Sequence, residues 1–400
     1  MTTGLTHDGH PTASKRSEIL PLTGLRAVAA IAVVVHHTRL PTSAPPWLQE
    51  IAICGFIGVP LFFMLSGFVL AYNYPTLHLR DRRAVLRFWV ARVARVMPLY
   101  WTVLIISVLT RETRGIPQDP SLPRQFLAIQ TWSGNLNIGA AVYNGPGWSI
   151  CVEMFLYALF PFLVLLVAHI ARHHGIRGLL ALCALAFAIQ VTLWAIFSLK
   201  GWADLPATDP SSAHRWLYRN PLTRIPEFTV GMCLAFAVNR GLRFPPWLAQ
   251  LVQVALVIGI PVGCALRDPH NGPLGAAFFG TMWTIPFALL IVSLASNRGF
   301  FARILATPLM VTLGTASFAL YLTHRSRIFG FGKNTVDTAP GHWGYVAVIL
   351  VVVWALFLAE GAHRYIEVPG RRLILSAYDR LVPRAEPAQN VATPSATGSP

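Results

Sequence analysis

The sequence predicts an all-α polytopic membrane protein, a bundle of about ten transmembrane helices with both termini in the cytoplasm. Three observations predict this class. The 400 residues are 54% hydrophobic and only 12% charged, whereas a soluble domain carries about 25% charged residues. The apolar residues lie in long runs, and about 20 such residues cross a bilayer as a helix. The basic residues cluster between those runs, as in cytoplasmic loops.

The predicted spans cover most of the chain between residues 19 and 363. Prolines in or near six of them are compatible with membrane helices, because neighbouring groups satisfy the freed backbone carbonyls. The third and sixth spans are short for a bilayer. The ten spans are 19–38, 53–73, 96–110, 148–169, 178–199, 222–239, 247–266, 274–296, 304–324 and 343–363.

The distribution of Lys and Arg predicts the orientation. With the N-terminus inside, the inner segments hold 19 Lys and Arg and the outer segments hold 12. This bias places both termini in the cytoplasm and the protein in the cell membrane. The expected organisation is an N-terminal tail (1–18), a transmembrane domain (19–373) and a cytoplasmic tail (374–400). The end of that tail is rich in Pro, Ala, Ser and Thr, which is typical of disorder.

Charge and cysteine content argue against other classes. The net charge is +16, but the basic residues flank apolar runs, so we expect no nucleic-acid partner. Five cysteines lie in or beside apolar segments without CxxC spacing, so neither a metal site nor a disulfide framework is expected. The first apolar run lacks an A-x-A cleavage site and is interpreted as a retained span rather than a signal peptide.

The first span carries two ionisable residues. Arg26 lies in its middle, where a charge costs about 2.5–3.5 kcal/mol on insertion scales, so such residues are candidates for function. His37 follows eleven residues later. Three helical turns place both residues on one face, about 16 Å apart along the axis. We therefore predict that both line one internal path. The alternative is that His37 is a hydrated histidine at the helix end.

Two further motifs permit two interpretations each. Ser66 and Gly67 interrupt an apolar run, either for close helix packing or as a polar wall beside the histidine. Arg92 and Arg95 share a helix face. They are either a positive-inside anchor or a site for the phosphates of a nucleotide-like cofactor.

The fourth span begins with Ser149 and, one turn later, Glu153. A carboxylate at that depth needs a partner, for which Arg26 or His37 is a candidate. Alternatively, the helix dipole alone stabilises it. Near the end of the chain, Tyr321 and His324 lie one turn apart at an outer helix end, where interface anchoring is the simpler interpretation.

Six motifs follow one another along the chain: Arg26 with His37, the SGF of Ser66–Phe68, R-x-x-R at Arg92/Arg95 before Pro98, W-S-x-x-V-E at Trp148–Glu153, Y-L-x-H at Tyr321–His324 and E-x-P-x-R-R at Glu367–Arg372. In this order, they resemble the acyltransferase 3 family of integral membrane O-acyltransferases over about residues 19–373. Three positions depart from the family pattern without removing a proposed catalytic group: Ala27 where Gly is usual, Cys151 where Ser is common, and Arg325 where Pro is frequent.

The resemblance implies ten helices and an acyl-CoA donor, acetyl-CoA or a short-chain homologue, presented from the cytoplasm. It implies O-acylation of a carbohydrate, glycolipid or macrolide-like small molecule. Acyl-CoA is then a co-substrate, and no tightly bound cofactor is expected. Members without a fused esterase-like domain, including macrolide 3-O-acyltransferases, are similar to this compact form. The other expected partners are the hydroxyl-bearing acceptor and membrane lipid.

The implied roles centre on the first span. His37 is the essential histidine, either as general base or as covalent acyl carrier. Arg26 stabilises an oxyanion or holds the pantetheine arm, and Glu153 orients the histidine. The donor is assigned to Arg92, Arg95, Ser66 and Gly67, and the acceptor to Trp148, Ser149, Tyr321 and His324.

A proton-coupled secondary transporter is the alternative function, because intramembrane Arg, His and Glu also suit transport. Transporters usually contain paired repeats, and no repeat is evident in the sequence.

Overall fold

The fold is described from a computed structural model that covers residues 18–132, 143–266, 273–325, 336 and 342–382. These residues form helices and connecting turns without a β-strand. The helices of the first half are α1 (Leu20–Thr38), α2 (Pro46–Ile53), α3 (Gly58–Asn73), α4 (Arg82–Thr113), α5 (Leu122–Phe126) and α6 (Gly147–Leu199). Those of the second half are α7 (Ile225–Asn239), α8 (Pro246–Ala265), α9 (Pro273–Ala277), α10 (Thr284–Ala295), α11 (Phe300–Leu305), α12 (Pro308–Thr315), α13 (Ser317–Thr323), α14 (Trp343–Ala362) and α15 (Val368–Leu381).

Local sequence explains where these helices begin. Proline occupies one of the first two positions of α1, α2, α7, α8 and α12, where its missing N–H costs nothing and its fixed φ favours the helix. The side chain of Asp81 caps α4 by accepting a hydrogen bond from the backbone N–H of Ala84 at 2.9 Å.

Six helical segments in the described part of the chain are long and apolar enough to cross a membrane: Leu20–Thr38, Pro46–Asn73, Arg82–Thr113, Gly147–Leu199, Pro246–Ala265 and Trp343–Leu381. The predicted number was about ten. Part of the difference lies in α6, whose 53 residues would measure about 80 Å if straight, well over twice the hydrocarbon thickness. Gly175 interrupts it with non-helical angles (φ 58°, ψ −146°), between the predicted spans 148–169 and 178–199.

The remaining difference lies in short helices. The predicted span 222–239 is the 15-residue helix α7, and the apolar helical stretch at 274–296 covers Thr281–Ala295. The predicted span 304–324 is divided among α11, α12 and α13. A single helix needs about 20 residues to cross the bilayer, so none of these segments reaches that length alone.

The centre of the bundle is the contact between α3 and α7. Both helices are buried along most of their length. A Cβ on Gly67 would lie 2.1 Å from the carbonyl oxygen of Phe228, and one on Gly231 would lie 2.0 Å from that of Met64. Glycine at both positions therefore lets the two backbones touch, as is common between membrane helices.

The outer helices expose apolar side chains, as expected of surfaces that face lipid. Leu251, Ile258, Ile349, Leu350 and Phe357 on α8 and α14 are each more than half exposed. The chain is an integral membrane protein by these criteria. Its last helix, α15, continues to Leu381, beyond the domain boundary predicted at residue 373. The N-terminal tail before residue 18 and the tail after residue 382 lie outside the described residues.

Candidate active site

A cavity lies inside the bundle among α1, α3, α6 and α13. Its walls combine aromatic and aliphatic side chains with several polar groups, as is usual for sites that bind small molecules. The lining residues are Arg26, Val59, Phe62, Phe63, Ser66, Ser149, Ile150, Glu153, Ser317, Phe318 and Tyr321. The cavity thus brings together Arg26, Ser66, Ser149, Glu153 and Tyr321, all predicted site residues.

Arg26 reaches this cavity as a cation with an incomplete set of partners. Its guanidinium carbon lies 5.9 Å from the ring centre of Phe62, and its Nε is buried without a hydrogen-bond partner among the described residues. Glu153, Glu367 and Arg95 are near enough to interact with it electrostatically. An arginine side chain has five N–H donors. Arg26 can therefore still donate to a polar or anionic group in the cavity, which would offset the cost of placing a cation there.

Glu153 has a partner that the sequence reasoning did not consider. The hydroxyl of Tyr157, one turn later on α6, donates to Oε1 of Glu153. The guanidinium carbon of Arg92 lies 5.9 Å from the ring centre of Tyr157. Tyr157 therefore links the carboxylate in the cavity wall to the arginine motif of α4. Glu153 is stabilised by this hydrogen bond and not by the helix dipole alone.

His37 lies at the end of α1, outside the wall of the cavity. Its Nδ1 is 3.0 Å from the backbone oxygen of Val33 and 3.1 Å from Nε2 of His324. The ring centres of His37 and His36 are 4.6 Å apart. His324 in turn lies 6.0 Å, ring centre to ring centre, from Tyr321 in the cavity wall. His37 and His324 form a pair beside one end of the cavity. His37 therefore contacts a protein side chain rather than only lipid.

Two of the residues assigned to the acceptor pack near the start of α6. The hydroxyls of Ser149 and Tyr321 both donate to the carbonyl of Pro146, at 3.0 and 3.3 Å. Trp148 is buried, with its ring centre 4.9 Å from Tyr218 and 6.3 Å from Phe63. It therefore stands behind the cavity wall rather than in it.

The residues assigned to the donor separate into two groups. Ser66 lines the cavity, whereas Gly67 faces the backbone of α7 and serves the packing described above. Arg92 and Arg95 lie outside the cavity on α4. Arg92 is surrounded by the rings of Tyr74, Phe88 and Tyr157 at 5.7–5.9 Å, and its Nε has no hydrogen-bond partner among the described residues.

Arg95 has an ion-pair partner from the E-x-P-x-R-R motif. It lies 3.4 Å from Oε1 of Glu367, a carboxylate that is 1% exposed. The other oxygen of Glu367 is 3.0 Å from Nδ1 of His363. Arg371 is near enough to both Arg92 and Arg95 to interact electrostatically. Glu367 thus ties the last helical segment to the R-x-x-R motif.

Comparison with known proteins decides the family. The Acyl_transf_3 model, an acyltransferase domain, matches residues 20–361. This chain belongs to the acyltransferase 3 family. The predicted resemblance is confirmed, and its transmembrane domain contains the cavity and the histidine pair.

Curated relatives of this acyltransferase 3 protein share 23–28% of its residues. Acyltransferase MdmB of Streptomyces mycarofaciens is 28% identical over 88% of this chain and 92% of the relative. A putative O-acetyltransferase, SACOL0978 of Staphylococcus aureus, is 23% identical over 90% of this chain and 59% of the relative. Putative peptidoglycan O-acetyltransferase YrhL of Bacillus subtilis is 26% identical over 90% and 56%. The chain therefore spans little more than half the length of the last two. No solved structure matches it.

The acyltransferase 3 cavity also contains residues that the sequence analysis missed. Ser317 is 0% exposed, lines the cavity, and its Oγ has no hydrogen-bond partner among the described residues. Both it and Tyr157 lie four residues from a predicted site residue, Tyr321 and Glu153 respectively. Residues four apart share a helix face, so this spacing was the signal that would have identified them.

Glu227, in the first turn of α7, belongs to a different network. Its Oε1 is 2.5 Å from the guanidinium of Arg224, and both side chains are 1% exposed. Gln190 donates to Glu227 at 3.3 Å and accepts from Thr284 at 2.7 Å. This network ties α6, α7 and α10 together and does not line the cavity.

Proposed function

We propose that this acyltransferase 3 protein transfers an acyl group from acyl-CoA to a hydroxyl of a carbohydrate, glycolipid or macrolide-like small molecule at the cell membrane. One observation carries the proposal. The cavity contains Arg26, with an unsatisfied Nε, and Glu153, and the His37–His324 pair lies at one end of it. A site that combines a cation with a nearby imidazole is suited to acyl transfer, because both groups act on charge that develops in the transition state.

The donor is proposed to approach from the cytoplasmic side, past Arg92 and Arg95. Arginine pairs well with phosphate through charge-assisted hydrogen bonds, and the Nε of Arg92 is without a partner among the described residues. Contact between Arg92 and Tyr157, and between Tyr157 and Glu153, provides continuity from this region to the cavity. The pantetheine arm then lies along the apolar wall that includes Phe62 and Phe63.

In the proposed reaction, Nε2 of His37 removes the proton of the acceptor hydroxyl. The oxygen attacks the thioester carbonyl carbon, and Arg26 stabilises the oxyanion. As the C–S bond breaks, the CoA sulfur leaves and takes the proton from the His37 imidazolium. The products are the O-acyl ester and CoA, and His37 returns to its neutral form. In the alternative order, His37 first carries the acyl group on nitrogen and then passes it to the hydroxyl.

The proposed topology has ten crossings with both termini in the cytoplasm. It is supported by the break at Gly175, which divides α6 into two segments long enough to cross. It is also supported by the short helices α7, α10 and α13, which are largely buried. Together with α12, they coincide with predicted spans. Reaction of single introduced cysteines with a membrane-impermeant thiol reagent, in a variant without the native cysteines, tests this orientation.

The acceptor is proposed to be a small hydroxyl-bearing molecule because this chain covers 92% of the length of MdmB but only 56–59% of the O-acetyltransferases. The test compares metabolites of cells with and without the gene by mass spectrometry. A mass difference of one acyl group in one compound class identifies the acyl chain and the acceptor. A transported but chemically unchanged solute would instead support the transporter.

His37→Ala provides the test of the chemistry. The variant is expected to insert normally and to release no CoA above background from acetyl-CoA in the presence of a metabolite extract. His174→Ala, an exposed histidine near Gly175, is the matched control and is expected to retain activity. Full activity of His37→Ala would contradict the proposed role of His37.

A further inference from the structure

His37 and His324 form a contact between helices that are distant in the sequence. His37 lies near the end of α1 and His324 directly follows α13. Nε2 of His324 is 3.1 Å from Nδ1 of His37, and Nδ1 of His324 is 2.7 Å from the backbone oxygen of Tyr321. From the sequence, His324 was interpreted as an acceptor-binding residue or an interface anchor. Neither role requires its contact with His37.

The hydrogen-bond partners determine where the two protons lie. A backbone carbonyl can only accept, so Nδ1 of His324 carries a hydrogen, and Nε2 of the neutral ring is an acceptor. Nδ1 of His37 then lies between two acceptors, Nε2 of His324 and the oxygen of Val33 at 3.0 Å. Nδ1 of His37 therefore carries a hydrogen too. Its Nε2 is left without a proton and is the basic nitrogen of the pair.

We infer that His324 is a positioning residue that keeps His37 in the tautomer with a basic Nε2 and stabilises its imidazolium. The inference rests on the proposed function, in which Nε2 removes the proton of the acceptor. When it does so, Nδ1–H of the cationic ring donates to the lone pair of His324. A charge-assisted hydrogen bond of this kind is stronger than a neutral one. His324 acts as the aspartate does in a Ser-His-Asp triad, but without a charge.

The surroundings of the pair leave this role to His324. From α1, Nδ1 of His36 lies 2.5 Å from the oxygen of Ile53, so that nitrogen donates away from His37. From the segment after α13, Arg325 is a cation that interacts electrostatically with both rings, and it can only donate. Tyr321 donates its hydroxyl to Pro146. Within the described ranges, no carboxylate lies within hydrogen-bonding distance of His37, so His324 and the Val33 carbonyl are its acceptors.

The experiment replaces His324 by residues that differ in their capacity to accept a hydrogen bond from His37. Gln offers an amide oxygen that accepts from His37, Lys can only donate, and Ala does neither. The full-length protein is purified in detergent, and each variant is compared at equal amounts of monodisperse protein. Acetyl-CoA is the donor, a metabolite extract of the host strain is the acceptor source, and released CoA is measured. His36→Gln is the matched control beside His37.

We expect His324→Ala to lower the maximal rate by about 10- to 100-fold without changing the half-saturating acetyl-CoA concentration. His324→Gln is expected to stay within about fivefold of the wild type, and His324→Lys to be as low as His324→Ala, because only Gln keeps an acceptor at this position. His36→Gln is expected to retain activity.

Three results would overturn the inference. The first is a wild-type rate in His324→Ala. The second is an equal loss in the Ala and Gln variants while both remain folded. The third is a comparable loss in His36→Gln, since that would mean any change beside His37 is harmful. The His37→Ala variant distinguishes failure of this inference from failure of the proposed function. If His37→Ala is inactive while His324→Ala is fully active, only the positioning role of His324 is wrong.

Discussion

Two arginines of this protein, the buried Arg224 and the partly buried Arg26, have opposite surroundings. Arg224 is 1% exposed and donates to Glu227 at 2.5 Å, to the carbonyl of Phe279 at 2.8 Å and to that of Leu217. Arg26 faces the cavity and lies 5.9 Å from the ring centre of Phe62, and it forms no ion pair with a carboxylate of the described residues. The Nε of both arginines has no hydrogen-bond partner among those residues, so the difference lies in the ion pair and the carbonyl acceptors of Arg224. The same side chain is thus built into the fold in one place and left available in the other.

The difference follows from the cost of burying a charge. A buried ion pair that is also hydrogen-bonded to backbone carbonyls is held in the fold as a unit, and its terminal N–H groups are already engaged. A cation without an ion-pair partner at a cavity lowers stability, but it is ready to stabilise negative charge that appears during a reaction. Arg224 is therefore interpreted as structural and Arg26 as functional, and substitution by the same residue at both sites tests this distinction.

The largest effect is expected from Arg224→Met. It leaves the Glu227 carboxylate buried without its cation, and breaking a buried pair in this way costs about 3–5 kcal/mol of stability. Thermal unfolding of the purified protein in detergent measures the loss. The double variant Arg224→Met/Glu227→Gln removes both charges and is expected to recover much of the stability. Equal stability of the single variant and the wild type would contradict the structural role of the pair.

Arg26→Met is expected to have the reverse pattern. Stability should remain equal or increase, because an unsatisfied cation is removed. Activity should fall by roughly 10²- to 10³-fold if Arg26 stabilises the oxyanion, since that is the typical effect of losing one such donor. The loss should appear in kcat; a rise in KM for acetyl-CoA with unchanged kcat would instead assign Arg26 to the pantetheine arm. A destabilised but fully active Arg26→Met would reverse the comparison.

Much of the fold could be predicted from apolar runs, and the differences have physical causes. The run 178–199 was separated from 148–169 by the polar segment around Gly175, where the backbone does leave the helical conformation. The run 304–324 appeared continuous, yet it is divided between α12 and α13 at Ala316. Apolar composition identifies what is buried in the bundle or in lipid, but it does not reveal whether a buried run forms one helix or several.

The site was predictable where chemistry is unusual for a membrane span. Arg26, Glu153 and Ser149 stood out as polar residues in apolar runs, and all three line the cavity. The sequence could not indicate that His324 contacts His37, because 287 positions separate them and only the packing of α13 beside α1 brings them together. Tyr157, the partner of Glu153, could have been identified from its four-residue spacing, but a tyrosine near the end of a membrane helix is usually interpreted as an interface anchor.

The smallest effect is expected at Ser317, which extends the comparison to hydroxyl groups. Ser317 and Ser293 are both 0% exposed. Ser293 donates to the carbonyl of Leu290 at 2.8 Å, whereas Ser317 lines the cavity and its Oγ has no partner among the described residues. Ser293→Ala should therefore lower stability by about 1 kcal/mol and leave activity unchanged. Ser317→Ala should leave stability unchanged and raise the KM of donor or acceptor by about 2- to 10-fold, the equivalent of one neutral hydrogen bond. If Ser317→Ala instead lowers stability and leaves both KM values unchanged, the Ser317 hydroxyl is structural, like Ser293 and Arg224. The polar groups of the cavity wall that remain as candidates for binding are then those of α1, α3 and α6 together with Tyr321.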